Sequence, residues 1–345
     1  MAFDVLVTGS AGHLGKALML SLPQLGFTPL GVDVLASPTT TQVGSVGDGE
    51  LMQRLFASNP GIRHVLHGAA LHKPHLETHS AQQFVDCNIT GTLVLCQAAA
   101  AHHEALQAHG GLLSFILFST TSAFGSAARC SSPGQPVPQV TETTAPVARN
   151  MYGLTKNAAE DVCAVVHLDS NMPTLVLRLA RFFPEADDDE SRRMAFAHAD
   201  GDANLKVLEL AHRRVDIADV VAATVCAMQR AVHLRWAKYI ISAPPPFVCS
   251  QAVLADLAKC PDAVLRRAVA QVDAVFTSRG WRHLDAVDRV YDSSKALHEL
   301  GWKPKYTFAN VIGMLARGED WRSHLTIRVG KLGYHQTSTG VYTQR

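Results

Sequence analysis

Like charges never run together in this chain of 345 residues, where 31 Lys and Arg face 30 Asp and Glu with no block of either sign. No nucleic-acid partner is therefore expected. No apolar run approaches the roughly 18 residues that suggest a membrane span, so no membrane partner is expected. At the amino terminus no basic segment precedes an apolar one, and no secretory leader is read there. Cys-x-x-Cys pairs are also missing. The seven cysteines are odd in number and scattered, which argues against a disulfide framework and fits reduced thiols in the cytoplasm. Charged residues make up 18% against 47% hydrophobic, a balance foreign to a disordered chain.

What is present is length enough for one large α/β domain, a smaller appended lobe and a cleft. The first half alternates short β-rich runs with longer helical patterns, as parallel sheets built from βαβ units do. Strands are expected over 5–7, 28–32, 43–47, 64–67, 113–118 and 174–179, and helices over 14–22, 50–57, 82–109 and 152–168. The pattern predicts an α/β fold: a Rossmann doubly wound parallel sheet over 1–183, then a smaller C-terminal α/β substrate lobe over 184–330, some of whose segments return to the main sheet. A further helix is expected over 220–230. Residues 126–149 are rich in Ser, Pro and Thr and read as a long loop beside the site. Residues 331–345 form a tail, either disordered or strapped over a partner subunit.

The first strand runs into Thr8-Gly9-Ser10-Ala11-Gly12-His13-Leu14-Gly15, which opens a helix. Gly9 and Gly12 let the backbone turn tightly and approach a pyrophosphate at the helix N-terminus, where His13 and Leu14 begin the first turn. Asp33 ends the second expected strand, 18 residues after Gly15, near the spacing at which a carboxylate bonds the adenosine ribose. Its charge repels a 2′-phosphate and no arginine follows closely. NAD is the expected cofactor.

Together with Gly47-Asp48 after strand three, His67-Gly68-Ala69-Ala70 after strand four and Asn88-Ile89-Thr90-Gly91-Thr92 in the next helix, this turn resembles the extended short-chain dehydrogenases/reductases. The resemblance is to the NAD-dependent epimerase and dehydratase group acting on sugar nucleotides, and it covers nearly the whole chain. It implies that Asp48 and Gly49 meet the adenine and that Gly68, Ala69 and Ala70 run along the cofactor. It also implies that Asn88 is a polar anchor near the ribose or the strand behind it.

Tyr152-Gly153-Leu154-Thr155-Lys156 sets a phenol and an ammonium four apart on one helical face. A phenol of pKa about 10 acts as a base near neutrality only if its phenolate is preferentially stabilised by roughly 4 kcal/mol, which a neighbouring lysine and a positive nicotinamide ring can supply. Tyr291 and Lys295 share the spacing but lack an upstream partner, and resemble the family's C-terminal Asp292-Ser293-Ser294-Lys295-Ala296 stretch. Thr120 stands five residues before Gly125, where the family carries its catalytic Ser or Thr, so Thr120, Tyr152 and Lys156 are the expected catalytic residues. Thr121 and Ser122 replace the Asp-Glu pair of the dehydratases, which disfavours elimination of water and leaves Thr121 as a substrate contact.

Arg181 occupies the position of an asparagine in many relatives, and its planar fork suits a carboxylate or phosphate. The alternative is an ion pair with the acidic turn at 187–190. Arg214 (or Arg213) and Arg289 resemble diphosphate-contacting positions. His72, His75 and His79 have ligand-like spacings, but Pro74 breaks the helical register, so no metal is expected and His72 is read as a substrate contact. The expected activity is hydride transfer on a small-molecule substrate, a sugar or sugar nucleotide. It proceeds either as epimerisation through a transient keto form with NAD retained or as outright oxidation by a dehydrogenase; a non-catalytic dinucleotide sensor is the alternative of another class. The apolar stretch 84–101 and the helix beginning at Tyr152 are the expected surface of a homodimer.

Overall fold

A computed structural model describes residues 2–129, 134–187 and 189–334. The expected tail therefore lies outside the described residues from 335 onward. The chain divides into two compact units that interleave in sequence. Unit 1 comprises Met1–Ala123, Pro146–Arg178 and Val221–Tyr239, and unit 2 comprises Phe124–Ala145, Leu179–Val220 and Ile240–Arg345. The boundary expected at 183 is thus replaced by several crossings. Segment 221–239 belongs to unit 1 and segment 124–145 to unit 2, neither of which the sequence reading names.

In chain order the first half runs β1 (Val5–Thr8), α1 (His13–Ser21), β2 (Pro29–Asp33), β3 (Gln42–Val43), α2 (Gly49–Ser58), β4 (His64–His67), α3 (Ala81–Phe84), α4 (Gly91–Ala105), β5 (Ser114–Thr120), β6 (Gln139–Val140), α5 (Met151–Ser170) and β7 (Thr174–Leu179). There follow α6 (Glu190–Ala195), α7 (Gly201–Glu209), α8 (Ile217–Leu234) and β8 (Trp236–Ile241). Seven strands form one sheet in the order β3-β2-β1-β4-β5-β7-β8. Pairing is parallel where β1 meets β2 and β4, and where β4 meets β5. Strands buried on both faces read as continuous apolar runs, and every residue of β1, β4, β5 and β7 is buried. Leu6, Leu30, Val65, Phe115 and Val176 meet Leu95 of α4 in one core. Strand order reverses at β1 and β4, and in such sheets ligands bind beyond the carboxyl ends of the strands at that switch.

Two differences from the sequence reading have local causes. Strand β3 stops at Val43: the Gly44 N–H bond to Asp33 O (2.8 Å) is the last rung of the ladder, and the chain then turns toward the Asp48 cap of α2. The single helix expected over 82–109 is broken by a π-helical turn at Val85–Thr90, which changes the helical phase. Two helical stretches, Ala81–Ala105 and Ile217–Leu234, do have the length and hydropathy of membrane spans, contrary to the sequence expectation. About half of each window, 44% and 50%, is buried inside the structure, as in core helices.

Unit 2 completes the chain with α9 (Gln251–Lys259), α10 (Pro261–Ala268), α11 (Val272–Arg279), β9 (Val290–Tyr291), α12 (Ser294–Glu299), α13 (Phe308–Ala316) and α14 (His324–Val329). Strands β6 and β9 pair in parallel. Phe276, Trp281, Phe308 and Ile312 anchor its principal core.

Candidate active site

The glycine turn is held open by contacts that allow no side chain. Gly9 adopts φ +75°, and a Cβ there would stand 2.7 Å from Ala69 N and from Gly68 C. A Cβ on Gly15 would lie 2.0 Å from Gly9 O, whereas one on Gly12 would meet only that same oxygen at 3.4 Å. Gly9 and Gly15 are therefore fixed by packing, and Gly12 faces open space at the N-cap of α1, which no side chain caps. The arrangement is an uncovered helix N-terminus, suited to a pyrophosphate. Asp33 closes β2 and steadies this turn: its two carboxylate oxygens accept Ala11 N–H and Leu35 N–H, each at 2.9 Å. Each oxygen keeps a further lone pair for a ribose hydroxyl.

Behind the turn lies a buried relay. Thr8 Oγ1 accepts the N–H groups of Gly68 and Ala69 (3.2 Å each) and contacts His67 Nδ1 at 2.8 Å. His67 Nε2 lies 2.9 Å from Thr92 Oγ1, which itself donates to Asn88 O at 2.6 Å. Because the Thr92 hydroxyl proton is committed, Nε2 carries the imidazole hydrogen and Nδ1 accepts from Thr8. Burial pushes His67 down to about 3, which keeps that neutral tautomer. Asn88 then ties the exit of β4 to α5: its Oδ1 accepts Leu71 N–H (2.8 Å), while Nδ2 donates to Leu71 O and Thr155 Oγ1 (3.0 Å each). Of the two placements expected for Asn88, the structure shows the one against the backbone behind the site.

Asn150 caps α5 by accepting Gly153 N–H at 2.9 Å. A Cβ on Gly153 would approach Ser122 O to 2.8 Å, so glycine lets the first turn of α5 press against the end of β5. That contact brings Tyr152 to Thr120, and their hydroxyls hydrogen-bond. Thr120 Oγ1 also accepts Ser122 N–H at 3.0 Å, which orients the threonine hydroxyl. Burial pushes the Tyr152 phenol up to about 12, with the Thr120 bond opposing. The expectation that Lys156 would already lower it is not met in this state. One turn on, Lys156 is buried and its ammonium makes no hydrogen bond to any described residue; burial depresses its pKa. A desolvated ammonium and a protonated phenol one helical turn apart on α5 are groups that suit a dinucleotide ribose. His72 joins them, its ring 6.3 Å from that of Tyr152. His72 N–H donates to His75 Nδ1 at 2.9 Å, and among the described residues no cluster suits a metal.

Other expected residues have structural work of their own. Asp48 caps α2 by accepting Leu51 N–H at 2.9 Å, with Gly49 as the first helical residue. Thr121 is buried in the turn after β5. The arginines belong to unit 2. Arg181 pairs with Asp187 at 2.7 Å, the acidic-turn alternative, while Arg213 and Arg214 both pair with Glu209. Arg289 pairs with Asp288 at 2.5 Å and reaches the Tyr291 hydroxyl at 3.3 Å. Tyr291, the rejected second Tyr–Lys pair, is thereby held in β9.

Sequence reasoning missed the centre beneath the catalytic trio. Glu160, fully buried one turn beyond Lys156, accepts from Ser119 Oγ (2.6 Å), from Arg178 Nη2 (2.7 Å) and from Lys238 Nζ (2.9 Å). Burial works against its charge, but Arg178 and Lys238 outweigh this and hold it below the usual carboxylate range. The four-residue step from Lys156 was the available signal; Arg178 inside an apolar strand was the second.

The model of the NAD dependent epimerase/dehydratase family matches residues 5–237. A UDP-glucose 4-epimerase of Rhizobium leguminosarum bv. trifolii is 28% identical over 200 residues, 56% of this chain and 55% of the relative. The chain thus spans about half the length of the curated relatives it matches. Among solved structures, the Bordetella bronchiseptica enzyme WbmG in complex with NAD aligns with a TM-score of 0.59 at 21% identity, covering 93% of this chain and 94% of that one. A UDP-glucose 4-epimerase from Thermotoga maritima with UDP-glucose aligns with a TM-score of 0.60 at 20% identity, covering 92% and 99%.

Proposed function

The chain belongs to the NAD-dependent epimerase/dehydratase family, and on that premise we propose that it is an NAD-dependent hydride-transfer enzyme that epimerises a sugar nucleotide through a transient keto form. The observation that carries the reading is the hydrogen-bonded Thr120–Tyr152 pair one helical turn from the buried ammonium of Lys156, which bonds to no described residue. Gly9, Gly12, His13 and Leu14 would hold the pyrophosphate, Asp33 the adenosine ribose, Asp48 and Gly49 the adenine, and Gly68, Ala69 and Ala70 the stretch between. Lys156 and Tyr152 would hold the nicotinamide ribose. NAD, when bound, supplies the hydride acceptor and a positive ring.

The residues of the chain move the proton. Thr120 orients the substrate hydroxyl and Tyr152 accepts its proton, returning it after the sugar has turned. Bringing a phenol from about 12 to near 7 requires about 7 kcal/mol of preferential phenolate stabilisation, more than the sequence alone suggested. Lys156 is the chain's contribution, strengthened by its dry surroundings. Thr121 and His72 would touch the sugar.

Leu93 of α4 and Leu154, Val165 and Leu168 of α5 are exposed, which supports a homodimer through these two helices. Free cysteines support a reducing, cytoplasmic setting. The test is conversion of UDP-glucose by the full chain with NAD. Tyr152→Phe is expected to lose activity by several orders of magnitude while retaining NAD; unchanged turnover would overturn the assignment.

A further inference from the structure

Glu160 is wholly buried on α5, and its carboxylate accepts from Ser119 Oγ of β5 (2.6 Å), from Arg178 of β7 (Nε at 3.0 Å, Nη2 at 2.7 Å) and from Lys238 Nζ of β8 (2.9 Å). One side chain fastens three strands to one helix. All of these residues belong to unit 1. Apolar side chains often replace a buried ion pair at no cost in stability, so folding alone does not call for a carboxylate here.

Two features of this attachment bear on the catalytic trio. The first is mechanical: Ser119 precedes Thr120 in β5, so its bond to Glu160 fixes the strand end that carries Thr120 against the helix that carries Tyr152. The second is charge. Lys156 lies one turn before Glu160 on the same helical face, buried and with no hydrogen bond to any described residue. Arg178 and Lys238 bring two more cations to the same carboxylate.

The other titratable groups around Lys156 are Tyr152 and Cys163 on α5, Cys87 on the π turn and His67 at the end of β4; His72 stands beside Tyr152, and Cys96 of α4 meets Cys163. None of these side chains is an anion near neutral pH. Asp161 comes within 3.8 Å of Lys238 but is 80% exposed, where water screens it. Burial depresses the Lys156 pKa, and Glu160 is among the groups that oppose this. Without its carboxylate, three cations would share one dry region.

We propose that Glu160 is a positioning residue for proton transfer: it pins the Thr120 strand end to α5 and offsets Arg178 and Lys238, so that Lys156 stays an ammonium beside Tyr152. The role deepens the hydride-transfer reading and rests on it, whereas the charge coupling behind it is measurable in the chain without NAD.

Melting temperatures of the NAD-free full chain are compared for the parent, Lys156→Met, Glu160→Gln and the double variant. Unit charges roughly 6–10 Å apart at an effective dielectric constant of about 20 make Lys156→Met more favourable in the Glu160→Gln background than in the parent, by roughly 3–10 °C. Additive changes would overturn the proposal. Should Glu160→Gln not fold, Lys238→Gln takes its place: it removes a repelling cation from a partly exposed position, so Lys156→Met should gain less there than in the parent. An equal gain would overturn the proposal as well. In turnover of UDP-glucose with NAD, the alkaline fall of kcat/KM, where Lys156 loses its proton, should move down by about one pH unit or more in Glu160→Gln and move up in Lys238→Gln. A merely structural carboxylate would leave that limb where the parent has it, which would refute the role. If no variant turns over, the parent included, while the melting temperatures stay non-additive, the proposed function fails and the coupling of Glu160 to Lys156 stands.

Discussion

Removing the Glu160 carboxylate should unbalance unit 1 more than any other single surface or core change near the trio. Arg178 is only 3% exposed in its side chain and Glu160 1%, so Glu160→Ala strands a guanidinium that water cannot reach. Breaking a buried pair by removing one partner costs about 3–5 kcal/mol. For a domain of roughly 150–250 residues each kcal/mol lowers the melting temperature by about 2–4 °C, so a fall of roughly 6–20 °C is expected. The companion variant removes both charges, as Glu160→Leu with Arg178→Met. Lys238, 25% exposed, can then turn to solvent, and replacing a buried pair by apolar side chains is often nearly neutral. The double variant should therefore recover most of the loss, giving a coupling of several kcal/mol in a double-mutant cycle followed by thermal and denaturant unfolding. A loss below about 1 kcal/mol for Glu160→Ala, or a double variant whose loss is the sum of the singles, would refute the reasoning.

Three further outcomes follow from the same geometry. Gly15→Ala gains helix propensity of about 1 kcal/mol, yet its Cβ would sit 2.0 Å from Gly9 O; NAD titration should show affinity lost by an order of magnitude or more, and parental affinity would contradict the packing argument. His67, at about 3 against 6.5 when free, contributes stability that is full above pH 6.5 and is lost as pH falls toward 3, about 2 kcal/mol at pH 5. The stability of His67→Gln should fall less between pH 7 and 5; parallel curves would show that the imidazole is not the titrating group. Asp33→Asn should weaken NAD about ten-fold and narrow its advantage over NADP, as read by fluorescence titration; an unchanged preference would remove Asp33 from the ribose.

The sheet was legible where residues act locally. Strands β4 and β7 fall on the expected residues because a fully buried parallel strand is a short apolar run with clear ends. β8 was missed: it carries Lys238 at mid-strand, which makes sense only once Glu160, distant in sequence, is placed beside it. The π turn at 85–90 was also hidden, since one extra residue in a helical turn leaves the apolar pattern almost unchanged while re-aiming Asn88 at Leu71 and Thr155. At the site, the meeting of Thr120 and Tyr152 agrees with the order in which the motifs occur. The protonation of Tyr152 differed because burial outweighs what helical spacing to a lysine suggests. Arg181 could not be assigned from sequence, because a substrate anion and the acidic turn at 187–190 suited its guanidinium equally and only folding brings Asp187 to it.

The most direct test of the central claim is to incubate the purified full chain with NAD and UDP-glucose and follow sugar-nucleotide composition and reduced-nicotinamide absorbance together. The account predicts interconversion of the epimers with no net reduced cofactor, abolished by Tyr152→Phe. Steady accumulation of reduced cofactor, or turnover that survives Tyr152→Phe, would contradict it.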